Sequence, residues 1–265
     1  MDWPQALTVF VVFAFILAGA FEMRQPLSAQ TLPYLRRWSL HFALWISFAF
    51  LLPLVFRVSA LTLAESLNGN LSFLPFLILY DLSLWLTHLA FHKFRFLWIW
   101  HSVHHSDPDM DASTGFRFHP LEVIADRGVI LALIYLVQPA LSSLIAVQFF
   151  SIASNFWVHS NIAIPARLES LLGKVFMTPG LHRTHHATEI ESQNANFGII
   201  FSFWDRLFAL RRTGPIAPPV GLDGIPASST ASPLFVLLQL PWREWKATTP
   251  THTQSKAAPP LAIHT

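Results

Sequence analysis

Residues 180–189 read GLHRTHHATE and place three histidines within five positions. The same H-x-x-H-H spacing occurs a second time, in HSVHH at residues 101–105. An apolar core disfavours so many polar rings without partners, and a solvated loop has no use for them. The repeated spacing therefore indicates metal ligands rather than ordinary core or surface histidines.

The spacing also predicts where the rings point. On a helix, residues three and four apart share a face, so the first histidine of each motif lies beside both of the later ones. The adjacent pair diverges by about 100°, since a helical turn takes about 3.6 residues. Each motif can therefore serve two places at once, which suits two neighbouring metal ions. His88 and His92 in HLAFH are one helical turn apart and fit the same pattern.

The ligand types narrow the choice of metal. The chain contains no cysteine, so thiolate ligands are excluded, and imidazole suits zinc, copper, iron and nickel. The ten histidines between positions 88 and 186 exceed the needs of one mononuclear site and would supply two sites of four or five ligands. Two redox metals side by side can share the electrons needed to split O2, so a histidine-rich pair of sites favours an oxygen-activating di-iron centre. A structural zinc pair is the alternative.

Two further functions stay open at this stage. A zinc hydrolase uses an open metal site and a carboxylate base, often in the motif H-E-x-x-H. The sequence lacks that motif, but Glu189 and Glu191 follow the second histidine motif and leave hydrolysis open. A non-catalytic membrane metal-binding protein is the other alternative.

Three polar residues are candidates to support the ligands, and no catalytic residue is predicted beyond these and the ligands. Asp81 precedes His88 by seven residues, which is two turns on the same helical face, and could accept an N–H from a ligand imidazole. Asn196 and Asp205 follow the second motif and could do the same. Each carboxylate also has an ordinary interpretation: Asp81 can pair with an arginine, and Asp205 can cap a helix.

The composition indicates a membrane protein. Hydrophobic residues make up 53% of the 265 residues and charged residues only 12%, whereas soluble domains average about 25% charged residues. The net charge is only +2 and the sequence has no basic run, which argues against a nucleic-acid partner.

Apolar segments predict the membrane-spanning helices. Apolar stretches occupy residues 6–21, 40–56 and 71–91, close to the ~20 residues that a spanning helix needs. A cleaved signal peptide is disfavoured for the first stretch, because no lysine or arginine precedes it. A fourth segment, residues 128–158, contains Pro139, which predicts two helices or a hairpin.

We therefore predict an all-α fold, a polytopic membrane helix bundle of about four spans or hairpins with a cytosolic histidine-rich helical cap. The expected division is 1–70 for N-terminal transmembrane helices, 71–212 for the catalytic domain and 213–265 for a Pro-rich C-terminal segment. In that segment, LFVLLQLPWREW (residues 234–245) is expected to lie flat on the membrane, and the last twenty residues are expected to be disordered.

Basic residues near the span ends predict the orientation. Arg24, Arg36 and Arg37 lie in the first loop, and Lys93 and Arg95 follow the third span. The loop between the second and third spans is poorer in basic residues. This distribution predicts an outside N-terminus and a histidine-rich part that faces the cytoplasm.

Together the motifs resemble the fatty acid hydroxylase superfamily, also called the sterol desaturase family. The matching segments cover roughly residues 80–210 and read YDLSLWLTHLAFHKFRFLWIWHSVHHS, FRFHPLE, WVHSNI, TPGLHRTHHA, NFG and WDRLF. The family often has a glycine after W-D-x-x-F, where this chain has Ala209. That glycine is a turn residue, so the departure puts little of the chemistry in doubt.

The resemblance implies an integral membrane enzyme that uses two histidine-bound iron ions, O2 and external electrons to hydroxylate or desaturate a lipid. Zinc can replace the iron in preparations. The sequence does not distinguish sterol, fatty acyl, sphingoid, ether lipid and carotenoid substrates, nor the two reactions. The resemblance implies ten ligands, namely His88, His92, His101, His104, His105, His119, His159, His182, His185 and His186.

The electrons are expected to come from a separate protein of the reductase, ferredoxin or cytochrome type. The sequence contains no G-x-G-x-x-G dinucleotide motif, no cysteine for an iron–sulfur cluster and no recognisable haem-binding domain. No organic cofactor is therefore expected, and the sequence does not indicate an oligomeric state.

Overall fold

The computed structural model describes residues 3–56, 58–233 and 235–246. Apart from isolated β-bridges, its regular structure within these residues is helical, which confirms the predicted all-α fold. A 3₁₀ turn at Ala112–Phe116 connects the fifth and sixth helices. The helices up to residue 159 are α1 (Trp3–Arg24), α2 (Tyr34–Val55), α3 (Ala60–Leu67), α4 (Phe73–Lys93), α5 (Arg95–His105), α6 (Pro120–Val137) and α7 (Leu141–His159).

Shorter helices follow. They are α8 (Ala166–Leu172), α9 (Pro179–His185), α10 (Ile190–Gln193), α11 (Phe203–Leu207), α12 (Ala227–Thr230) and α13 (Leu240–Lys246), with a π-helical turn at Phe235–Gln239. Val236 and Leu240 in the last stretch are buried, whereas Trp242 and Trp245 are 58% and 50% exposed. That this stretch lies flat on a membrane stays a prediction, and the tail expected to be disordered lies outside the described residues.

Four helical segments among the described residues are long and apolar enough to cross a membrane. They are Gln5–Arg24, Tyr34–Leu67, Phe73–Lys93 and Leu141–His159. Large apolar side chains on the first two, such as Phe13 and Phe50, are 60% and 73% exposed, as expected where the solvent is lipid. The first three segments match the predicted spans, with the second extended to include α3, and the fourth corresponds to the second half of the predicted segment 128–158.

The fourth apolar segment of the sequence folds as a helical hairpin, as Pro139 predicted. Gln138 ends α6 in the left-handed conformation (φ 48°). Pro139 follows it, and α7 begins at Leu141, two residues later. A Cβ at Gly69 would come within 2.0 Å of the Gln138 carbonyl oxygen, so the close approach requires glycine there. The hairpin returns the chain to its starting side, with His119 at the beginning of α6 and His159 at the end of α7.

Apolar packing holds the bundle together on both sides of this hairpin. Phe76, Ile134 and Leu144 are fully buried in a core that joins α3, α4, α6 and α7. A second cluster, which includes Phe15 and Phe116, packs α1 and α2 against the 3₁₀ turn and α7. The packed helices therefore position the ends of α4, α5 and α7, where the histidines lie.

Buried polar contacts connect the N-terminal helices to the cap. The Arg37 guanidinium lies 2.8 Å from Asp107 and 2.8 Å from Asp111, and the three side chains are buried. At the end of α1, Glu22 Oε1 accepts hydrogen bonds from the backbone N–H groups of Ala112 and Asn161, both at 2.7 Å. The proposed domain boundary at residue 70 stays a prediction, and these contacts cross it.

Candidate metal centre

Nine buried histidines form two adjoining groups. Within each group, one ligand atom from every ring lies within 4.8 Å of all the others. We call them the five-histidine group (His88, His92, His101, His105 and His185) and the four-histidine group (His104, His159, His182 and His186). Helices α4, α5, α7 and α9 carry these residues, and His186 directly follows α9.

Each H-x-x-H-H motif contributes to both groups. In α5, His101 and His105 belong to the five-histidine group, whereas His104 belongs to the four-histidine group. In the second motif, His182 and His186 belong to the four-histidine group, whereas His185 belongs to the five-histidine group. The divergence of about 100° between adjacent helical residues accounts for this division.

The two groups are in direct contact. The rings of His105 and His186 stack with their centroids 4.3 Å apart, and they belong to different groups. The rings of His101 and His104 also face each other across the boundary, at 5.3 Å. Ions held by the two groups would therefore be neighbours.

The hydrogen bonds of the four-histidine group leave lone pairs facing one another. Nδ1 of His104 lies 3.2 Å from the carbonyl oxygen of Arg117, and Nδ1 of His159 lies 2.7 Å from that of Asn155. A carbonyl oxygen only accepts, so both Nδ1 atoms carry hydrogen and both Nε2 atoms present a lone pair. Those two Nε2 atoms are 3.1 Å apart, and Nε2 of His182 is 3.1 Å from that of His159.

This separation fits a shared metal ion. Two nitrogens that bind one ion at about 2.1 Å and at right angles lie about 3 Å apart. The five-histidine group has the same character: Nε2 of His88, His101 and His185 is buried and has no hydrogen-bond partner in the described part of the chain. The Nδ1 atom of each of these rings is held by an oxygen 2.6 to 2.8 Å away. The donor set therefore suits two metal ions.

Burial keeps the cap imidazoles neutral. It lowers the pKa of His101 to about 3. Burial also lowers the pKa of the other cap histidines well below the ordinary value of 6.5, namely His104, His105, His182, His185 and His186. Neutral imidazole is the form that binds a metal, so these rings are ready to act as ligands.

Glu122 contacts a histidine of the five-histidine group and was not among the residues predicted from the sequence. Its Oε1 atom lies 2.6 Å from Nδ1 of His101, and the side chain is 1% exposed. The residue stands in FRFHPLE, in the first turn of α6, three positions after His119. The signal available in the sequence was an acid three residues after a histidine in this segment. A carboxylate bonded to Nδ1 fixes the tautomer and increases the basicity of a ligand ring.

A short loop supplies backbone oxygens to two other rings. Nδ1 of His88 lies 2.8 Å from the carbonyl oxygen of Phe197, and Nδ1 of His185 lies 2.7 Å from that of Ala195. Asn196 lies between the two carbonyls in the left-handed conformation, with φ of 55°. The conformation of this one residue therefore positions the two carbonyl oxygens that hold these rings of the five-histidine group.

The three polar residues expected beside the ligands support that loop. The Asn196 side chain donates to and accepts from the backbone of Arg212, at 2.7 and 2.9 Å. Asp205 accepts from two backbone N–H groups of the loop at 2.8 and 3.0 Å. Asp81 accepts from a third, at 3.1 Å. In the structure these three side chains contact backbone groups at or beside the loop, whereas the sequence suggested direct contacts with histidine rings.

The structure does not bring His119 into either histidine group. Its Nδ1 atom accepts a hydrogen bond from the N–H of Leu121 at 3.1 Å and so caps α6. Its Nε2 atom lies 3.4 Å from the carbonyl oxygen of Leu237. Both ring nitrogens therefore have partners in the protein.

The acids that left hydrolysis open lie at the surface. Glu189 and Glu191 form ion pairs with Arg212 at 3.3 and 2.7 Å, and their side chains are 59% and 68% exposed. Neither belongs to either histidine group. Their positions give no support to a role as the base of a zinc hydrolase.

Comparisons with known proteins agree with this geometry. The sequence model of the family described as fatty acid hydroxylase matches residues 73–209. The chain is 29% identical over 131 residues to alkylglycerol monooxygenase of Caenorhabditis elegans, and 24% identical over 150 residues to ornithine lipid hydroxylase OlsE of Rhizobium tropici. The first alignment covers 48% of this chain and 24% of the relative, and the second covers 56% and 44%. The chain thus spans less than half the length of either relative, and no solved structure matches it.

Proposed function

The chain belongs to the fatty acid hydroxylase family, and on that premise we propose that it is a membrane di-iron oxygenase that hydroxylates or desaturates a lipid. The observation that carries the proposal is the pair of adjoining histidine groups with inward-facing nitrogen lone pairs. The two relatives are named for an alkylglycerol and an ornithine lipid, which supports a lipid substrate.

The nine histidines of the two groups would hold the two iron ions. Bound iron supplies the activation of O2 and the cleavage of an unactivated C–H bond. The chain itself keeps the rings neutral by burial and excludes bulk water. It orients five of these nine rings through an oxygen beside Nδ1, namely His88, His101, His104, His159 and His185. In this proposal His119 positions α6 as its N-cap and is not a ligand.

The overall reaction balances with a reductant. Hydroxylation converts a lipid C–H, O2, two electrons and two protons into a lipid alcohol and one water. Desaturation removes two hydrogen atoms from adjacent carbons, uses the same O2, electrons and protons, and gives an alkene and two waters. We propose that a separate reductase, ferredoxin or cytochrome supplies the electrons.

The location follows from the same proposal. Residues 71–212 would form the catalytic domain, and the basic residues near the span ends, such as Arg24, Arg36 and Lys93, favour a cap that faces the cytoplasm. The electron donor would then dock from the cytoplasmic side, while the lipid enters from the bilayer.

Metal and oxygen analysis tests the proposal. Protein purified without O2 and loaded with ferrous iron should bind two iron ions per chain and should consume O2 only with both reductant and lipid. His182→Ala should lose iron and O2 consumption, whereas the tail variant His252→Ala should keep both. Iron-loaded protein that binds metal but shows no lipid-dependent O2 consumption would contradict the proposal. A non-catalytic metal-binding protein or a zinc-dependent lipid hydrolase would then be favoured.

A further inference from the structure

A cavity of about 150 Å³ adjoins the metal centre between α4, α6 and α7. Its wall includes histidines of both groups, among them His88 and His104. The wall also carries the polar side chains of Glu122, Asp126 and Ser151. Since one water molecule takes about 30 Å³ of liquid, the cavity admits about five groups of that size. It can hold a small part of a lipid but not a whole chain.

A larger groove of about 280 Å³ continues from this cavity. Its apolar lining includes Val11 of α1 and Trp45 of α2, so it lies between helices that can cross the membrane. Cavity and groove share three polar residues, which we call the polar junction: Asp126, Ser151 and Asn155. A lipid that enters from the bilayer through the groove would pass the polar junction before it reaches the histidines.

The cavity wall also contains an unsatisfied acceptor. Oε2 of Glu122 is buried and has no hydrogen-bond partner in the described part of the chain, while Oε1 holds His101. Asp126 lies one helical turn further along α6 and lines the same space. A buried carboxyl oxygen without a hydrogen-bond partner costs free energy. The unsatisfied oxygen of Glu122 therefore points to a ligand that donates a hydrogen bond.

We propose that Glu122 and the polar junction bind a hydrogen-bond-donating group of the lipid, a hydroxyl or an amine, and that the oxidised carbon lies a few bonds from that group. This inference rests on the proposed function and narrows its substrate class. A plain hydrocarbon segment would desolvate the carboxylates without replacing their hydrogen bonds. The small volume of the cavity leaves no room for a long spacer between the donor group and the metal centre.

Three probes of equal chain length test the substrate class. Iron-loaded protein in lipid nanodiscs is given hexadecanol, hexadecylamine or hexadecane, and products are located by mass spectrometry. We expect kcat/KM about tenfold higher for the alcohol or the amine than for hexadecane, the value of one good hydrogen bond. Oxidation is expected within the first few carbons, and the comparison of alcohol with amine identifies the donor. Equal turnover of all three, or oxidation in mid-chain, overturns the proposal.

Arg127 also lines the groove, and an anionic lipid group is the competing occupant. Palmitate therefore serves as a fourth probe, and a preference for it over hexadecanol and hexadecylamine would overturn the proposal. Asp126→Ala and Ser151→Ala should each reduce the preference for the donor-bearing probe over hexadecane. Tyr135→Phe, on the same helix and 62% exposed, is the matched control and should leave the preference unchanged. A full preference in both junction variants would also overturn it.

A photoreactive probe separates this inference from the proposed function. Hexadecanol that carries a diazirine beside the hydroxyl carbon should label residues 118–126 and 151–155, and less so in Asp126→Ala. If such labelling occurs in iron-loaded protein that consumes no O2, the junction stands and the oxygenase proposal fails. Labelling confined to lipid-facing side chains such as Phe50 would overturn the proposal that the polar junction binds the lipid.

Discussion

Nε2 of His104 lies 3.1 Å from Nε2 of His159, although Nδ1 of each ring already donates to a backbone carbonyl. Two lone pairs at this distance repel each other unless a cation lies between them. Burial disfavours a proton as that cation, since it penalises charged imidazole. We therefore expect the stability of the fold to be coupled to metal binding.

Removal of the metal is expected to lower Tm. A ligand present at about 1,000 times its Kd stabilises the folded state by about 4 kcal/mol, which corresponds to roughly 10 °C for a chain of this size. Thermal unfolding in detergent without O2, with ferrous iron or with a chelator, measures the difference. An identical Tm under both conditions would contradict the coupling.

Glu122→Ala is expected to weaken iron binding by about 10- to 100-fold, because the variant removes the oxygen that holds His101. Glu122→Gln keeps an acceptor oxygen at this position, so its loss of affinity should be smaller. Iron titration followed by absorbance gives the affinities. Glu191→Gln, whose surface ion pair contributes little, is the control. Unchanged affinity in Glu122→Ala would show that this carboxylate does not position the ligand.

Substitutions at Asn196 should separate backbone from side-chain effects. Asn196→Gly loses three side-chain hydrogen bonds, each worth about 1 kcal/mol, but keeps easy access to the left-handed conformation. Asn196→Ala loses the same bonds and adds about 1–2 kcal/mol of backbone strain. Tm should therefore fall from wild type to the glycine variant and again to the alanine variant. The reverse order of the two variants would disprove the role of the backbone conformation.

Acidification should destabilise the metal-free protein. Burial lowers the folded-state pKa of His101 to about 3 and that of His186 well below 6.5. Below about pH 6.5 the unfolded chain binds protons that the folded chain does not, so the free energy of unfolding decreases as the pH decreases. Each such histidine contributes about 1.4 kcal/mol per pH unit until its folded pKa is reached. Tm of metal-free protein should be higher at pH 8 than at pH 5.5, and a pH-independent Tm would be the contrary result.

The parts of the structure that depend on local rules could be predicted from the sequence. Pro139 marks the turn of the hairpin, because proline cannot continue a helix that precedes it. The division of His104 from His105 follows from the helical rotation between adjacent residues. Apolar stretches of nearly the length of a bilayer gave the spans, since that length is set by the membrane itself.

The partners of the rings could not be predicted, because segments distant in sequence supply them. Asp81 does share a helical face with His88, but the loop that follows the second motif lies against that face. Asp81 accepts a hydrogen bond from the backbone of this loop, and Nδ1 of His88 lies beside one of its carbonyl oxygens. His119 occupies a ligand position by resemblance, yet Pro120 begins α6 and makes the preceding residue its N-cap. The order and spacing of the motifs along the chain were enough to identify the family. The individual hydrogen bonds could be assigned only once the folded backbone was known.

The contact between α1 and the segment after α7 has a consequence for biogenesis. Glu22 receives the N–H of Asn161, which is synthesised 139 residues later. At about 5–20 residues per second, the ribosome needs roughly 7–28 s to make that partner. Helix α1 thus makes this contact only after the segment that contains the other three candidate spans has been synthesised.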